Sequence, residues 1–300
     1  MNSGAKADDI VFDRSRVGPP GKLVSLTKTV RRMVADNPGP MTFTGTCTYV
    51  VGHGEVAVID PGPDLPQHVG ALLDALGNER VSHILVTHTH RDHCGAAAAL
   101  KAATGATLVG CAPSAASAHA GEAHDVLYAP DAVMADGDVV AGKQFALESV
   151  ATPGHTGNHL SFALADETAL FSGDHVMAWS TSVIIPPDGT LADYMASLEK
   201  LQQRRETIYW PGHGAPVREP QAYLAALIRH RHGREAAILA ELAKGPASPS
   251  ELVSRIYPQL DPALDAPARL SVMAHLDDLE KHGRVHAEAG PGATARYRLA

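Results

Sequence analysis

The chain has 300 residues, enough for one large domain or two ordinary ones, and 45% are hydrophobic, so a sizeable core can form. Its 25 basic residues face 33 acidic ones, a formal net charge of -8. That balance argues against non-specific nucleic-acid binding, which rests on neutralising phosphates.

Residues 1 to about 40 are mixed and end in the turn-rich ADNPGP. FTGTCTYVVG and EVAVIDPG then read as strands, with His-Gly between them as a hairpin signal. LPQHVGALLDALG (65–77) has helical spacing of Val69, Leu72, Leu73 and Leu76. VSHILVT (81–87) predicts a strand, GAAAALKAATG (95–105) a helix closed by glycine, and TLVG (107–110) another strand. FALESVATPG, LSFAL and ALFSGD make the middle β-rich. LADYMASLEKLQQ (191–203) predicts an amphipathic helix, TIYWPGHG (207–214) a strand running into a polar turn, and 219–245 a long helix.

The punctuation GPASPS marks a domain boundary at about residue 245. Beyond it, PSELVSRIYPQL and APARLSVMAHLDDLEKHGRV predict two helices, the second with Leu270, Met273, Leu276 and Leu279 on one face. Two short strands around Gly-Pro-Gly follow, a helix, helix, β-wing order. This segment holds six basic and seven acidic residues, a poor match to a DNA-reading helix, so it is expected to cover the active-site flank or an oligomer interface.

The N-terminus, MNSGAKADDIVFDRS, has no apolar leader core, and no stretch approaches the ~18 apolar residues of a membrane span. The three cysteines, Cys47, Cys94 and Cys111, lack CxxC spacing. A reduced, cytoplasmic protein with no membrane association is the expectation.

Histidine is the anomaly: 17 in 300 residues, three of them inside HTHRDH at 88–93. His88 and His90, two apart, project the same way from an extended segment and can reach one ion. Asp92 and His93 follow after a turn and can reach a second. Three later strand ends carry matching turns, TPGHTGNH, SGDH and PGHG. His155 would complete the first ion's nitrogens, His213 would join Asp92 and His93, and Asp174 would bridge. Ligands of nitrogen and oxygen without cysteine suit two Zn2+, with Mn2+ or Fe as alternatives. Two ions ~4 Å apart can hold a bridging hydroxide, bringing the pKa of water from ~16 toward ~7.

Other candidates have plainer readings. His159 is either a hydrogen-bonding support for the site or a packing residue, and His175 is structural. Cys94 is a small buried thiol rather than a ligand. His53, His68, His83, His119 and His124 are expected at solvent, as are His230 and His232 on their helix. Tyr194 sits on a helix that mainly packs.

HTHRDH, the downstream histidine, the aspartate and the final PGHG together resemble the metallo-β-lactamase superfamily. The resemblance implies an αββα sandwich, an α/β fold with a dinuclear zinc site at one edge of its sheets. It assigns His88, His90 and His155 to the first zinc, Asp92, His93 and His213 to the second, and Asp174 to the bridge. It also matches Asp60 of VIDPG to the family's early aspartate, which supports a ligand histidine. From about residue 20 to 300, through TFTGTCTYVVG and the YMASLEKL helix, the chain resembles the lactamase-β-like branch, with residues 1–245 catalytic and 246–300 a winged helix. That branch includes single-strand endoribonucleases, but Cys47 stands where it commonly has asparagine.

The resulting expectation is a hydrolase in which a metal-bridging hydroxide attacks a thioester, lactone or β-lactam, with Asp92 orienting the nucleophile. The alternative is a zinc-dependent single-strand endoribonuclease or phosphodiesterase. A small-molecule substrate fits the acidic surface better than RNA, and a homodimer is compatible with the sequence.

Overall fold

The structure, a computed structural model, describes residues 10–114, 123–288 and 295–300. Two β-sheets lie face to face between layers of helix. The first runs in spatial order β1 (Val24–Ser25), β2 (Val30–Val34), β3 (Cys47–His53), β4 (Glu55–Ile59), β5 (Arg80–Val86), β6 (Thr107–Gly110), β7 (Ala132–Val133). Pairing is antiparallel from β1 to β4 and parallel from β4 to β7.

The second sheet contains β8 (Val139–Gly142), β9 (Phe145–Ala151), β10 (Leu160–Leu164), β11 (Ala169–Gly173), β12 (Ile208–Pro211) and β13 (Val217–Arg218). There β11 and β12 are parallel and the other pairs antiparallel. Tyr49 ties the sheets together. Its ring meets Phe171 at 5.1 Å and Trp210 at 6.3 Å, and its hydroxyl donates to the Pro211 carbonyl at 2.7 Å.

Helices α1 (Pro66–Leu76), α2 (Arg91–Cys94) and α3 (Ala97–Thr104) follow strands of the first sheet. Leu72 and Leu76 of α1 and Leu100 of α3 join its core. Gly105, at φ 68, ends α3 in the left-handed conformation that glycine adopts without steric cost. Helices α4 (Leu191–Gln202) and α5 (Pro220–Leu242) cover the outside of the second sheet, through Tyr194, Leu198 and Leu224 against Leu170 and Tyr209. This is the expected αββα sandwich.

α5 has 23 residues and outlasts the sheet it covers. Its last turns, with Ile238 and Leu242, enter a separate small core with α6 (Pro249–Ile256), α7 (Asp265–Lys281), β14 (Val285–Ala287) and β15 (Tyr297–Leu299). α6 begins with a reciprocal cap between Ser248 and Glu251. The predicted Gly-Pro-Gly turn between the last two strands lies outside the described residues.

α7 buries more than the single face its leucines suggest. Val272, Leu276 and Leu279 fill the small core, Met273 is half-buried, and Ala274 and His275 turn against the sandwich. A helix packed on two sides has no clean polar face to reveal in sequence. Among the described residues, no helix is long and apolar enough to cross a membrane.

Candidate metal centre

The parallel pairs set the site. β4, β5, β11 and β12 all end at one edge of the sandwich, followed by Asp60, His88, Asp174 and His213. The chain past β9 brings His155 to the same place.

There the structure assembles two trios. His88 Nε2 and His155 Nε2 lie 3.0 and 3.1 Å from His90 Nδ1. Asp92 Oδ2 lies 3.3 Å from both His93 Nε2 and His213 Nε2, which are themselves 3.3 Å apart. Asp174 sits between them, with Oδ1 3.4 Å from His93 Nε2, and Oδ2 3.3 Å from His213 Nε2 and 3.7 Å from His155 Nε2. All seven residues singled out in the sequence therefore meet at one point.

The surroundings aim a lone pair from four of the five imidazoles inward. His93 Nδ1 donates to Asp60 at 2.9 Å. His88 Nδ1 donates to the Thr87 hydroxyl at 2.9 Å, which donates on to Asp60 at 2.8 Å, so one carboxylate orients a histidine of each trio. His155 Nδ1 donates to the Val183 carbonyl at 2.6 Å and His213 Nδ1 to the Gly45 carbonyl at 3.3 Å. In each case the opposite nitrogen faces the cluster, the one a metal would take in place of a proton.

Charge tells the same story. Burial, reinforced by neighbouring histidines, holds His88 well below the usual imidazole range and His90 at about 3, so both are neutral. Burial acts the same way on His213, but the Asp174 and Asp92 carboxylates overcome it and push His213 up to about 9. His93 is raised likewise. The two aspartates in turn stay ionised despite burial because His213 and His93 face them. This is a carboxylate pair in need of positive charge, met by protons where divalent cations would serve. Asp174 Oδ1 is also buried without a hydrogen-bond partner. Donor types, lone-pair directions and charge thus fit two divalent cations.

Backbone room is part of the design. A Cβ on Gly212 would lie 2.5 Å from both Asp174 Oδ1 and His93 Cε1. His159 is a support: its Nδ1 donates to Thr152 at 2.9 Å and its Nε2 accepts the Asp174 backbone N–H at 3.2 Å. His175 is fully buried against Tyr194, and Cys94 is a buried thiol raised far above its usual range by burial, outside both trios.

Several supports escape the sequence reading. Thr46 donates its hydroxyl to Asp92 Oδ2 at 2.9 Å. His124, expected at solvent, is buried beside the His90 ring at 4.7 Å, with Nδ1 2.8 Å from the Thr89 hydroxyl and Nε2 3.2 Å from Asp188. His68, also expected at solvent, is buried against Thr48. His83 and His230 are half-buried, His53 and His232 are exposed, and His119 lies outside the described residues. Cys47 is buried and takes the Gly212 carbonyl through its backbone N–H at 2.7 Å.

A cleft of about 280 Å³ opens beside His155 and Asp174. A larger hollow of about 910 Å³, along α3 and residues 125–129, contains none of the seven.

Comparison with known proteins fits this geometry. Residues 41–213 match the family model described as "Metallo-beta-lactamase superfamily", and residues 248–293 match "Beta-lactamase associated winged helix domain". The chain belongs to the metallo-beta-lactamase superfamily, as a hydrolase with a winged-helix appendage. Among its relatives is the "Beta-lactamase-like protein 2 homolog" of Drosophila melanogaster, 33% identical over 87% of this chain and 90% of that protein. The "Lactamase-like protein nscB" of Aspergillus fumigatus is 35% identical over 73% of this chain, a stretch spanning 63% of the fungal protein. The "Atrochrysone carboxyl ACP thioesterase" of the same fungus is 32% identical over 78% of this chain and 75% of its own. A beta-lactamase domain protein from Burkholderia ambifaria, 21% identical, shares the fold over 96% of this chain and 97% of its own, with a TM-score of 0.80.

Proposed function

We propose that this protein is a dinuclear zinc hydrolase of a carboxylic substrate, with thioesters ahead of lactones and β-lactams. The observation that carries the reading is the pair of trios joined through Asp174. His88, His90 and His155 would hold one cation, Asp92, His93 and His213 the other, with Asp174 between. When bound, the cations supply Lewis acidity and lower the pKa of water from ~16 toward ~7.

The chain's own groups do the rest. Thr46 and the two facing imidazoles fix the Asp92 carboxylate, which is 26% exposed, the most open of the acidic groups here. It orients the attacking water and accepts its proton on a carboxylate oxygen. Asp60 and the Val183 carbonyl take the Nδ1 protons of His93 and His155, which turns the Nε2 atom of each toward the cluster.

Two observations favour the carboxylic class. A relative covering most of this chain carries a thioesterase name. The net charge of -8 disfavours long RNA. Nitrogen and carboxylate donors suit zinc, and the three buried free thiols suit a reducing cytoplasm.

The test is a turnover panel of thioesters, lactones, β-lactams and a 5′-labelled oligonucleotide, run with metal analysis on wild type, His90→Ala and Asp174→Ala. Wild type should carry two metals and cleave thioesters, and both variants should lose metal and turnover together. Full turnover by either variant in metal-free buffer refutes the reading. Cleavage of the oligonucleotide alone replaces it with the phosphodiesterase.

A further inference from the structure

The cleft beside Asp174 and His155 has walls from two lobes. Met177, Trp179 and Val183 form the catalytic side. Tyr257, Leu260 and Leu264, from the link between α6 and α7, and Ala268 of α7 form the other. The catalytic lobe alone would leave this side of the site open.

The lining states what belongs there. Its exposed lining is mostly hydrocarbon and aromatic; Arg14, Arg234, His155, His230 and four serine and threonine residues also border it, and among the described residues its one acidic group is Asp174. Leu264 and Met41, both 48% exposed, leave apolar surface uncovered at its edge. Two polar groups on the catalytic wall are buried with no hydrogen-bond partner, Trp179 Nε1 and Ser182 Oγ. Ser182 is 3% exposed, so bulk water does not satisfy it. Buried donors normally have partners. Both atoms are closed off from the cleft as well as from water, so its apolar lining defines the guest.

Size narrows the guest further. A cleft of about 280 Å³ holds about nine groups of the volume of a water molecule, ~30 Å³ each. That is an acyl group of about eight to ten carbons. A polynucleotide would need open aromatic faces and a train of cations. Here the Arg14 guanidinium lies over the Phe12 ring at 6.0 Å and that of Arg234 over Tyr257 at 4.6 Å, so both faces are covered by the cleft's two arginines, and two cations make no train.

We propose that the cleft between the lobes is the acyl subsite, and that the winged helix selects medium-length apolar acyl groups, with their carbonyl end at Asp174 and His155. This rests on the carboxylic-hydrolase reading. The winged helix acts as a specificity wall rather than a nucleic-acid reader.

The experiment uses the zinc-loaded full chain and acetyl, butyryl, octanoyl and decanoyl thioesters of N-acetylcysteamine. Wild type should favour octanoyl over acetyl in kcat/KM by about tenfold or more. Ala268→Trp fills the subsite and should lower that ratio by about tenfold. Leu264→Ser, at an exposed position that tolerates change, should lower it less. An unchanged ratio in both folded variants overturns the subsite.

A second readout needs no turnover. Titration with decanoic acid should quench tryptophan emission, Trp179→Phe should abolish the quench, and Ala268→Trp should weaken binding. Saturable quenching by a protein that cleaves no thioester would retain the subsite and sink the hydrolase reading. Cleavage of every thioester alike, with no quench, would do the reverse.

Discussion

His155 donates its Nδ1 proton to the carbonyl of Val183 at 2.6 Å. The carbonyl one residue earlier, that of Ser182, accepts from the Arg231 guanidinium, also at 2.6 Å. Arg231 is 2% exposed, lies 4.8 Å over the Tyr194 ring, and reaches the Ser271 hydroxyl of α7 at 3.3 Å. One buried cation thus connects the winged helix to the strip of backbone that orients a candidate metal ligand.

Arg231→Met should therefore destabilise the protein by about 2–3 kcal/mol, the scale of charged hydrogen bonds lost from a buried site. Urea unfolding measures this. Arg231→Lys keeps charge but not the fork, and should fall between wild type and Met.

Asp60 takes three donors: the His93 Nδ1 proton, the Thr87 hydroxyl and the Thr87 backbone N–H. Asn in its place would turn an amide donor toward one of them. Asp60→Asn should weaken metal affinity about 10- to 100-fold, affecting both trios because Thr87 also receives His88. Competition with a chelator for bound metal reads this directly.

Gly212→Ala tests backbone room. Its methyl would collide with Asp174 and His93, neither of which can yield without abandoning its partners. Turnover should fall about a hundredfold or more, as expected for a misplaced reacting group. Far-UV circular dichroism should stay unchanged, since only the site edge must shift.

His275 supplies a pH signature. Burial, aided by the charge of Arg231, holds its pKa at about 3 in the folded chain, against an ordinary 6.5. Above pH 6.5 both states carry it neutral and nothing is lost. Below that the unfolded chain takes up a proton that the folded one refuses. Stability from this residue therefore falls as pH drops from 6.5 toward 3, by up to about 1.4 kcal/mol per pH unit. His275→Leu should flatten that slope in denaturant titrations between pH 6 and 4.

The seven clustered residues were legible because each falls within a few residues of a strand end and of a recognisable neighbour, Asp92 and His93 on the short helix α2 and the others in loops. The αββα layering was legible for a related reason, strand and helix periodicity. What stayed hidden depends on distance along the chain. His124 has its meaning only beside Asp188, and Thr46 only beside Asp92, pairs that no local pattern brings together. His68 looks like a helix-surface residue until Thr48 of β3 is packed over it. The two-sided burial of α7 followed the same rule, because a second packing surface erases the periodicity by which the first is read.

His88, His90, Asp92 and His93 share one short turn, pinned where the backbone N–H groups of His93 and Cys94 both reach the His90 carbonyl. Four candidate ligands of the two proposed sites are thus threaded on a single six-residue stretch. A one-residue insertion anywhere in it would displace members of both trios at once. For the gene, the two sites are a single target: they are inherited together and lost together.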